Sequence, residues 1–340
     1  MIVDDSAVAR AVLARMAAAH PDFEVAALAA NAREALDALG TIAVDIVLLD
    51  LEMPGTHGLE ALPAILRAGR GAQVLIVSSM AEEGAAVTVR ALAAGAADTL
   101  PKPGAGCFAG RFSQILAERL RRIGRAGRRE EDLPDSEEQT LRLRDMPPGP
   151  IGCLALAAST GGMKPLTELL RALPRHIGAP ILVTQHLPPV FMPHFARQLE
   201  AACGRAVLLA EDRQKLAADC VYVAPGEAHL CVGRDGNGAR ARLDRARAPS
   251  GCLPSADPML ASLADGYGAA GVGVVLSGMG RDGLIGSRRL VEKGGAVLAQ
   301  DRATAAIWGM PRAVAEDGLA SAVLPPRQLA RRIAQRIGSA

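Results

Sequence analysis

The sequence predicts an α/β protein of two domains, each built on a doubly wound parallel sheet, with an antiparallel hairpin in the second. Three observations predict it. Short apolar runs alternate with helical patterns along the chain, the signature of repeated β-α-β units. The 340 residues amount to about two domains at roughly 150 residues each. A charged stretch from Arg119 to Asp145, ending in Met146-Pro-Pro-Gly-Pro150, cuts the pattern in two and reads as a solvated tether. The first domain is therefore placed at residues 1–122, the linker at 123–148 and the second domain at 149–340.

In the first domain Met1-Ile2-Val3 opens the sheet. Asn31-Ala-Arg-Glu34 has capping-box spacing: a side-chain acceptor at the helix start, and a carboxylate three residues on that can reach back to a free amide. Val44 to Leu49 and Val74 to Val77 are apolar enough for buried strands, Ala85 to Ala94 reads as a helix, and Thr99-Leu100-Pro101 closes the series. After the linker, strands are expected at Ile151 to Ala158, Ile181 to Thr184, Val207 to Ala210, Val272 to Ser277 and Ala296 to Ala299. Helices are expected at Pro165 to Leu173 and Leu284 to Lys293. Asp235-Gly-Asn-Gly238, between His229-Leu-Cys-Val232 and Arg240-Ala-Arg-Leu243, reads as a hairpin turn appended to the second sheet. No tandem repeat is visible.

Composition narrows the function classes. Hydrophobic residues make up 50 % and charged residues 22 %, which suits buried cores and excludes a largely disordered chain. The 2 % aromatic content leaves few platforms for stacked bases, and the second half shows no basic helix-turn-helix pattern. The net charge of +2 gives no field that would draw nucleic acid or an anionic membrane. These features argue against a transcription factor. The six cysteines, Cys107, Cys153, Cys203, Cys220, Cys231 and Cys252, have neither C-x-x-C nor paired metal spacing, so they read as scattered core thiols of a reducing compartment. The uncharged run 146–163 is broken by Pro147, Pro148, Pro150, Ser159 and Thr160, which excludes a spanning helix. With Asp4 and Asp5 at the start there is no signal-peptide pattern, and a cytoplasmic location without membrane insertion is expected.

Parallel α/β sheets carry their working groups at the carboxyl ends of strands. Here those ends carry Asp4 and Asp5, then Asp50, Ser78 and Lys102. Clustered carboxylates repel, and a hard divalent cation with oxygen ligands relieves them, with Mg²⁺ favoured where a phosphoryl group adds further oxygens. Phosphoryl transfer to a carboxylate becomes plausible chemistry. DDSAVAR, LLDLEMPGTHGLE, VSS and PKP, taken together, resemble the receiver domain of two-component response regulators over residues 1 to about 122. The resemblance implies a flavodoxin-like fold with Asp50 as phosphoacceptor. It implies Mg²⁺ held by Asp4, Asp5, Asp50 and the carbonyl of Glu52, phosphoryl contacts from Ser78 and Lys102, and a cis Lys102-Pro103 bond. Two features depart from the family: the first strand has only Met1, Ile2 and Val3 before Asp4, and Thr99 stands at the switch position where an aromatic ring is common.

In the second domain the Ile151 strand runs into Ser159-Thr-Gly-Gly162 and a helix. A serine on such a turn has its hydroxyl lifted above the sheet near free helix amides, as a nucleophile needs, although a serine N-cap fits the segment equally well. His186 closes the Ile181 strand, with His229 a competing base. Gly278-Met-Gly-Arg-Asp-Gly283 satisfies G-x-G-x-x-G, and Asp301 follows the next strand as a ribose-binding acid would. A dinucleotide-binding α/β protein using Gly278 to Gly283 is thus the alternative. Against it, Asp282 would repel the pyrophosphate, whereas beside His186 the same carboxylate would orient the imidazole. The order Ser159, His186, Asp282 differs from the Ser-acid-His order of α/β-hydrolases.

ASTGG, QHLPPVF, VAPGEAH, LSGMGRDG and QDRATAAIWGMP, in this order, resemble the catalytic domain of the CheB family of protein-glutamate methylesterases. The resemblance implies a Rossmann-like domain with Ser159 as nucleophile, His186 as general base and acid, Asp282 as orienting carboxylate and no cofactor for the ester chemistry. Backbone amides near Thr160 and Met279 are the oxyanion candidates. Met192-Pro193-His194 replaces the small polar residues common in the helix after His186. The implied activities are hydrolysis of glutamate γ-methyl esters and deamidation of glutamines on the cytoplasmic helices of methyl-accepting chemoreceptors, for sensory adaptation in chemotaxis. A chemotaxis histidine kinase is the implied phosphodonor, relieving a block imposed by the unphosphorylated receiver.

Overall fold

The computed structural model describes residues 1–54, 57–78, 82–102, 109–127, 141–236 and 238–337. The chain divides into two units, Met1–Ser136 and Glu137–Ala340.

The first unit is a parallel sheet of five strands in the order β2-β1-β3-β4-β5: β1 (Ile2–Val3), β2 (Leu28–Ala29), β3 (Ile46–Leu49), β4 (Gln73–Ser78) and β5 (Asp98–Pro101). Five helices separate and flank the strands: α1 (Ala7–Ala18), α2 (Ala32–Thr41), α3 (Gly58–Ala68), α4 (Glu82–Ala94) and α5 (Ala109–Gly127). The helix start expected at Asn31 is present. The Asn31 side chain accepts the Glu34 amide at 3.0 Å, while Glu34 accepts the Ala30 amide at 2.7 Å and the Asn31 side-chain amide at 2.8 Å. A cap of this kind contributes about 1 kcal/mol. One face of the sheet buries Ile2, Leu48, Leu75, Val77 and Leu100 against Leu13 and Met16 of α1 and Phe112, Leu116, Leu120 and Ile123 of α5. Helix α5 runs on to Gly127, so the segment read as the start of the tether begins as helix.

The second unit is a parallel sheet of seven strands in the order β14-β13-β12-β6-β7-β9-β8. Its centre is β6 (Cys153–Ala158), flanked by β7 (Ile181–Gln185) and β12 (Gly271–Val275); β8 (Val207–Leu209), β9 (Val221–Val223), β13 (Ala296–Gln300) and β14 (Ala320–Leu324) complete it. Every residue of β6 is buried, as a strand covered on both faces requires. Helices α6 (Met163–Ala172), α7 (Met192–Cys203), α8 (Ala256–Tyr267), α9 (Leu284–Glu292), α10 (Met310–Glu316) and α11 (Pro326–Ala334) accompany the strands. Strands β2, β9 and β14 lie outside the sequence-based expectations. The first two have only two and three residues, too few for a periodic signal.

One expectation is corrected. The hairpin, β10 (His229–Asp235) with β11 (Gly238–Asp244), is not appended to the large sheet but forms its own two-stranded sheet. It is tied to α8, where Ser262 Oγ accepts the Val232 amide at 2.9 Å and Cys231 Sγ reaches the Pro258 carbonyl. One backbone amide of the hairpin thereby finds its partner on a helix. The cis peptide among the described residues is Leu253-Pro254; the bond expected to be cis at Lys102 involves Pro103, outside the described residues. Among the described residues no helix is long and apolar enough to cross a membrane.

Candidate active site

Three segments of the second unit converge above the carboxyl ends of β6, β7 and β12. After β6 the chain turns sharply through Gly161, at φ +71°, into α6, which leaves Ser159 at the lip of the sheet. A Cβ at Gly161 would fall 2.5 Å from Ala306 Cβ, so only glycine makes this turn without displacing the neighbouring loop. His186 follows β7 directly. Asp282 precedes Gly283, whose φ of +87° starts α9.

The side chains meet in sequence. Ser159 Oγ lies 3.0 Å from His186 Nδ1, and His186 Nε2 lies 2.7 Å from Asp282 Oδ2. Asp282 is 3 % exposed. Its charge is held by three donors: His186, the Ser255 hydroxyl at 2.6 Å on Oδ1, and the Ala256 amide at 2.7 Å on Oδ2. Ala256 is the first residue of α8, so the carboxylate also faces the positive end of that helix. Burial pushes the Asp282 carboxyl up, but the His186 hydrogen bond and charge outweigh it and hold the group well below the usual carboxylate range. For His186, burial disfavours the imidazolium, yet the Asp282 bond, with a smaller contribution from Cys252, prevails and raises its pKa above the ordinary histidine value.

His229, the competing base, is committed elsewhere. Its Nδ1 accepts the Ser255 amide at 2.8 Å, which puts its proton on Nε2, where it is donated to the Ala246 carbonyl at 2.8 Å. It therefore supports Ser255, which in turn supports Asp282. Ser255 and the Ala256 amide were missed as site residues. The available signal was the helix-starting Ser255-Ala-Asp257, since the Ser255 hydroxyl caps α8 by accepting the Asp257 amide at 3.3 Å. Gln185 and Ser277 were missed as well. Gln185 donates to the Ser159 carbonyl at 2.8 Å, and Ser277 donates to the Thr160 carbonyl at 2.9 Å while accepting the Ile307 amide at 3.0 Å. These bonds pin the backbone on either side of the Ser159 hydroxyl.

The two oxyanion candidates flank Ser159. Thr160 is its chain neighbour, and Met279 is carried by the glycine-rich loop that packs on it. A Cβ at Gly278 would lie 2.8 Å from Ser159 Cβ and 2.3 Å from Met310 Sδ. Gly278→Ala is therefore expected to shift Ser159 against His186 and to cost roughly 10²-fold in ester hydrolysis. A rate within a few-fold of wild type, with an unchanged circular dichroism spectrum, would contradict that packing argument. The same loop weighs against the dinucleotide reading, because Asp282 is fully engaged inside it and keeps its negative charge where a pyrophosphate would sit. Asp301 accepts the Thr304 hydroxyl within its own turn.

In the first unit, Asp4, Asp50 and Lys102 come together. Lys102 Nζ lies 2.7 Å from Asp50 Oδ2 and 3.0 Å from Asp4 Oδ2. Asp4 and Asp50 are buried and Asp5 is exposed, yet each offers an oxygen within 4.8 Å of the others. Three hard carboxylate oxygens at that spacing fit Mg²⁺. Glu52 lies two residues beyond Asp50, with its amide donated to Asp50 Oδ1 at 3.2 Å. Burial pushes the Asp50 carboxyl up, against the Lys102 hydrogen bond. Burial would lower Lys102, but its bonds to Asp50 and Asp4 outweigh this and raise it. Ser78 ends β4 at 1 % exposure, with its hydroxyl 2.8 Å from Thr88 Oγ1 of α4 and its carbonyl accepting the Lys102 amide at 2.8 Å. Thr99, at the switch position, is buried at 2 % exposure, so no side chain there swings to the surface in this state.

Residues 154–333 match the family model described as CheB methylesterase, and residues 1–106 match the response regulator receiver domain model. The chain is 40 % identical over 343 residues to protein-glutamate methylesterase/protein-glutamine glutaminase 2 of Caulobacter vibrioides, an alignment spanning 100 % of this chain and 99 % of that protein. It is 38 % identical over 347 residues to protein-glutamate methylesterase/protein-glutamine glutaminase of a Nocardioides species, spanning 99 % of this chain and 94 % of the relative. The crystal structure of the Thermotoga maritima CheB methylesterase catalytic domain superposes with a TM-score of 0.53 at 32 % identity, covering 54 % of this chain and 98 % of that one. With ester-hydrolase geometry in one unit and a carboxylate-lysine rim in the other, the chain belongs to the CheB methylesterase family, as a member that joins a response regulator receiver domain to the methylesterase domain.

Proposed function

We propose that the chain is a phosphorylation-controlled hydrolase of glutamate γ-methyl esters, and of glutamine side-chain amides, on the cytoplasmic helices of chemoreceptors in a chemotaxis-type sensory pathway. The single observation that carries this reading is the unbroken chain from Ser159 Oγ through His186 to Asp282, at 3.0 and 2.7 Å.

Ser159 Oγ attacks the ester carbonyl as its proton passes to His186 Nδ1, while Nε2-H stays with Asp282, which stabilises the imidazolium. The oxyanion falls between the Thr160 and Met279 amides. Collapse breaks the bond to the methoxy oxygen, and the imidazolium protonates the leaving group to methanol. Water, deprotonated by His186, then attacks the acyl-enzyme and releases glutamate and free Ser159. On glutamine the leaving group is ammonia and the other steps are the same. The imidazole faces its serine through Nδ1 and its acid through Nε2. This reverses the nitrogens of the familiar template but preserves the roles.

Control is assigned to the first unit, with Asp50 as phosphoacceptor and a histidine kinase as donor. Asp4, Asp5 and Asp50 would hold Mg²⁺, which neutralises phosphoryl charge when bound. The ion pair of Lys102 with Asp50 supports a role in which Lys102 takes a phosphoryl oxygen as its new partner. That exchange of partners is the local event from which a two-state rim is biased. Methanol release from methylated chemoreceptor membranes, with and without a small phosphodonor, tests the whole reading. Asp50→Ala is expected to remove the stimulation by phosphodonor, and equal stimulation of variant and wild type would reject Asp50 as acceptor.

A further inference from the structure

A reactive group that the ester chemistry does not use borders His186. Cys252 lies in the loop between β11 and α8, half-buried, and is a free thiol. Its Sγ, a ring nitrogen of His186 and a carboxylate oxygen of Asp282 all lie within 4.8 Å of one another. A thiol, an imidazole and a carboxylate converging on one point are the donor types that bind zinc in tetrahedral sites. The acidic rim of the first unit differs in kind, since it offers oxygen alone and suits a hard ion.

We propose that His186, Cys252 and Asp282 form an inhibitory site for a borderline-soft divalent cation, Zn²⁺ or its mimic Co²⁺. The site stands on its own geometry, and its inhibitory consequence rests on the esterase reading. Asp282 is a ready anionic ligand, since the Ser255 hydroxyl and Ala256 amide orient it and remain bound to it after a metal arrives. Such outer partners hold ligands in place. Access from solvent exists, because the His186 side chain is 16 % exposed and Cys252 is half-buried. Zinc distances of roughly 2.1 Å to nitrogen and oxygen put the two atoms about 3.4 Å apart in a tetrahedral site. The present 2.7 Å between Nε2 and Oδ2 must therefore open by about 0.7 Å, within reach of a side-chain rotation.

The proton inventory explains the inhibition. Binding releases the Cys252 thiol proton to solvent and forms bonds from the metal to Sγ, Nε2 and Oδ2, leaving a fourth position for water. The metal takes the place of the proton on Nε2, and that proton passes through solvent to Nδ1, so the ring stays neutral and only the thiol proton is released. Nδ1-H then donates to Ser159 Oγ instead of accepting from it. The serine keeps its proton and has no base.

The test uses the full chain, stripped with a chelator and resupplied with Mg²⁺. Titrated with Co²⁺, the wild type is expected to develop a thiolate-to-cobalt charge-transfer absorption that saturates at one equivalent and is bleached by Zn²⁺. Cys252→Ser and Cys252→Ala are expected to lack the band, and Ser159→Ala to keep it. In parallel, Zn²⁺ is expected to abolish hydrolysis of a small carboxylic ester and a chelator to restore it. Measured against its own zinc-free rate, Cys252→Ser is expected to raise the inhibitory zinc concentration by at least about tenfold, no less than the loss of an outer-shell partner costs. A band that survives in Cys252→Ser, no band in the wild type, or equal zinc sensitivity of the two proteins would overturn the site. A zinc-free protein that hydrolyses no ester would instead count against the esterase reading, and the cobalt spectrum would still decide the metal site.

Discussion

Ser159→Ala is expected to lower ester hydrolysis by at least about 10⁴-fold while leaving the fold intact, because the residual rate of a site without its nucleophile comes only from substrate positioning and oxyanion contacts. The side chain lost is small, and Ser159 is only 8 % exposed, so alanine fits the same space. Its backbone amide keeps its bond to the Ser277 carbonyl, and its carbonyl keeps the Gln185 side chain. Unfolding midpoint and circular dichroism should therefore match the wild type. The Nδ1 atom of His186 loses a hydroxyl partner in this variant, but it faces a partly open site where water replaces it. Methanol release from methylated receptors at more than a hundredth of the wild-type rate would remove Ser159 from the role of nucleophile.

Asp282→Ala is expected to have an effect of similar order, about 10⁴-fold in kcat, with a pH signature that separates it from a packing defect. The substitution strips the acceptor from three donors at once: His186 Nε2-H, the Ser255 hydroxyl and the Ala256 amide. The ring is then free to rotate or to change tautomer, and an unpaired buried amide costs about 1–3 kcal/mol of stability. The base works only when unprotonated. Because Asp282 raises the His186 pKa, the acid limb of the wild-type kcat/KM profile should lie above pH 6.5, the ordinary histidine value, and activity should rise with pH through it. Without the carboxylate only the smaller Cys252 interaction opposes burial, and the limb should move to lower pH. Asp282→Asn refines the test. The Ala256 amide demands an oxygen at the Oδ2 position, so asparagine presents its carbonyl to His186 and keeps the ring oriented, giving up the charge and the acceptor of the Ser255 hydroxyl. It should show the acid shift of the limb with a smaller loss of kcat than alanine. A limb that stays in place in both variants would mean that Asp282 does not set the protonation of His186.

Much of the architecture was legible because its strands are the most hydrophobic segments of the chain. Apolar runs such as Val74 to Val77 and Ala155 to Ala158 cannot sit anywhere but inside a covered sheet, and in a parallel sheet the residues at the carboxyl ends of such strands share one rim. That regularity made Asp4, Asp50, Lys102, Ser159 and His186 readable as strand-end residues. It failed where the signal is short or shared. Strand β2 has two residues, and the hairpin stands as a sheet of its own where the sequence suggests an extension of the large one, because a turn motif specifies pairing between neighbours and says nothing about the surface on which the pair packs. Cysteine spacing suggested scattered core thiols, and Cys153 and Cys231 are indeed buried, but Cys203, Cys220 and Cys252 are only half-buried.

The linear order of residues by itself determined which side chains end strands, where glycine must make a turn, and that Asp282 is a misfit in a phosphate-binding loop. Strand position already favoured His186 over His229; only the tertiary structure decided which nitrogen His186 turns to Ser159, and that Ser255, Ala256 and Cys252 gather around the same carboxylate. The reason is one of range. Strand ends and turns arise from interactions a few residues apart, whereas Asp282 is separated from His186 by 96 positions and from Ser255 by 27, and the three meet only because the parallel sheet and the start of α8 bring their segments to one point.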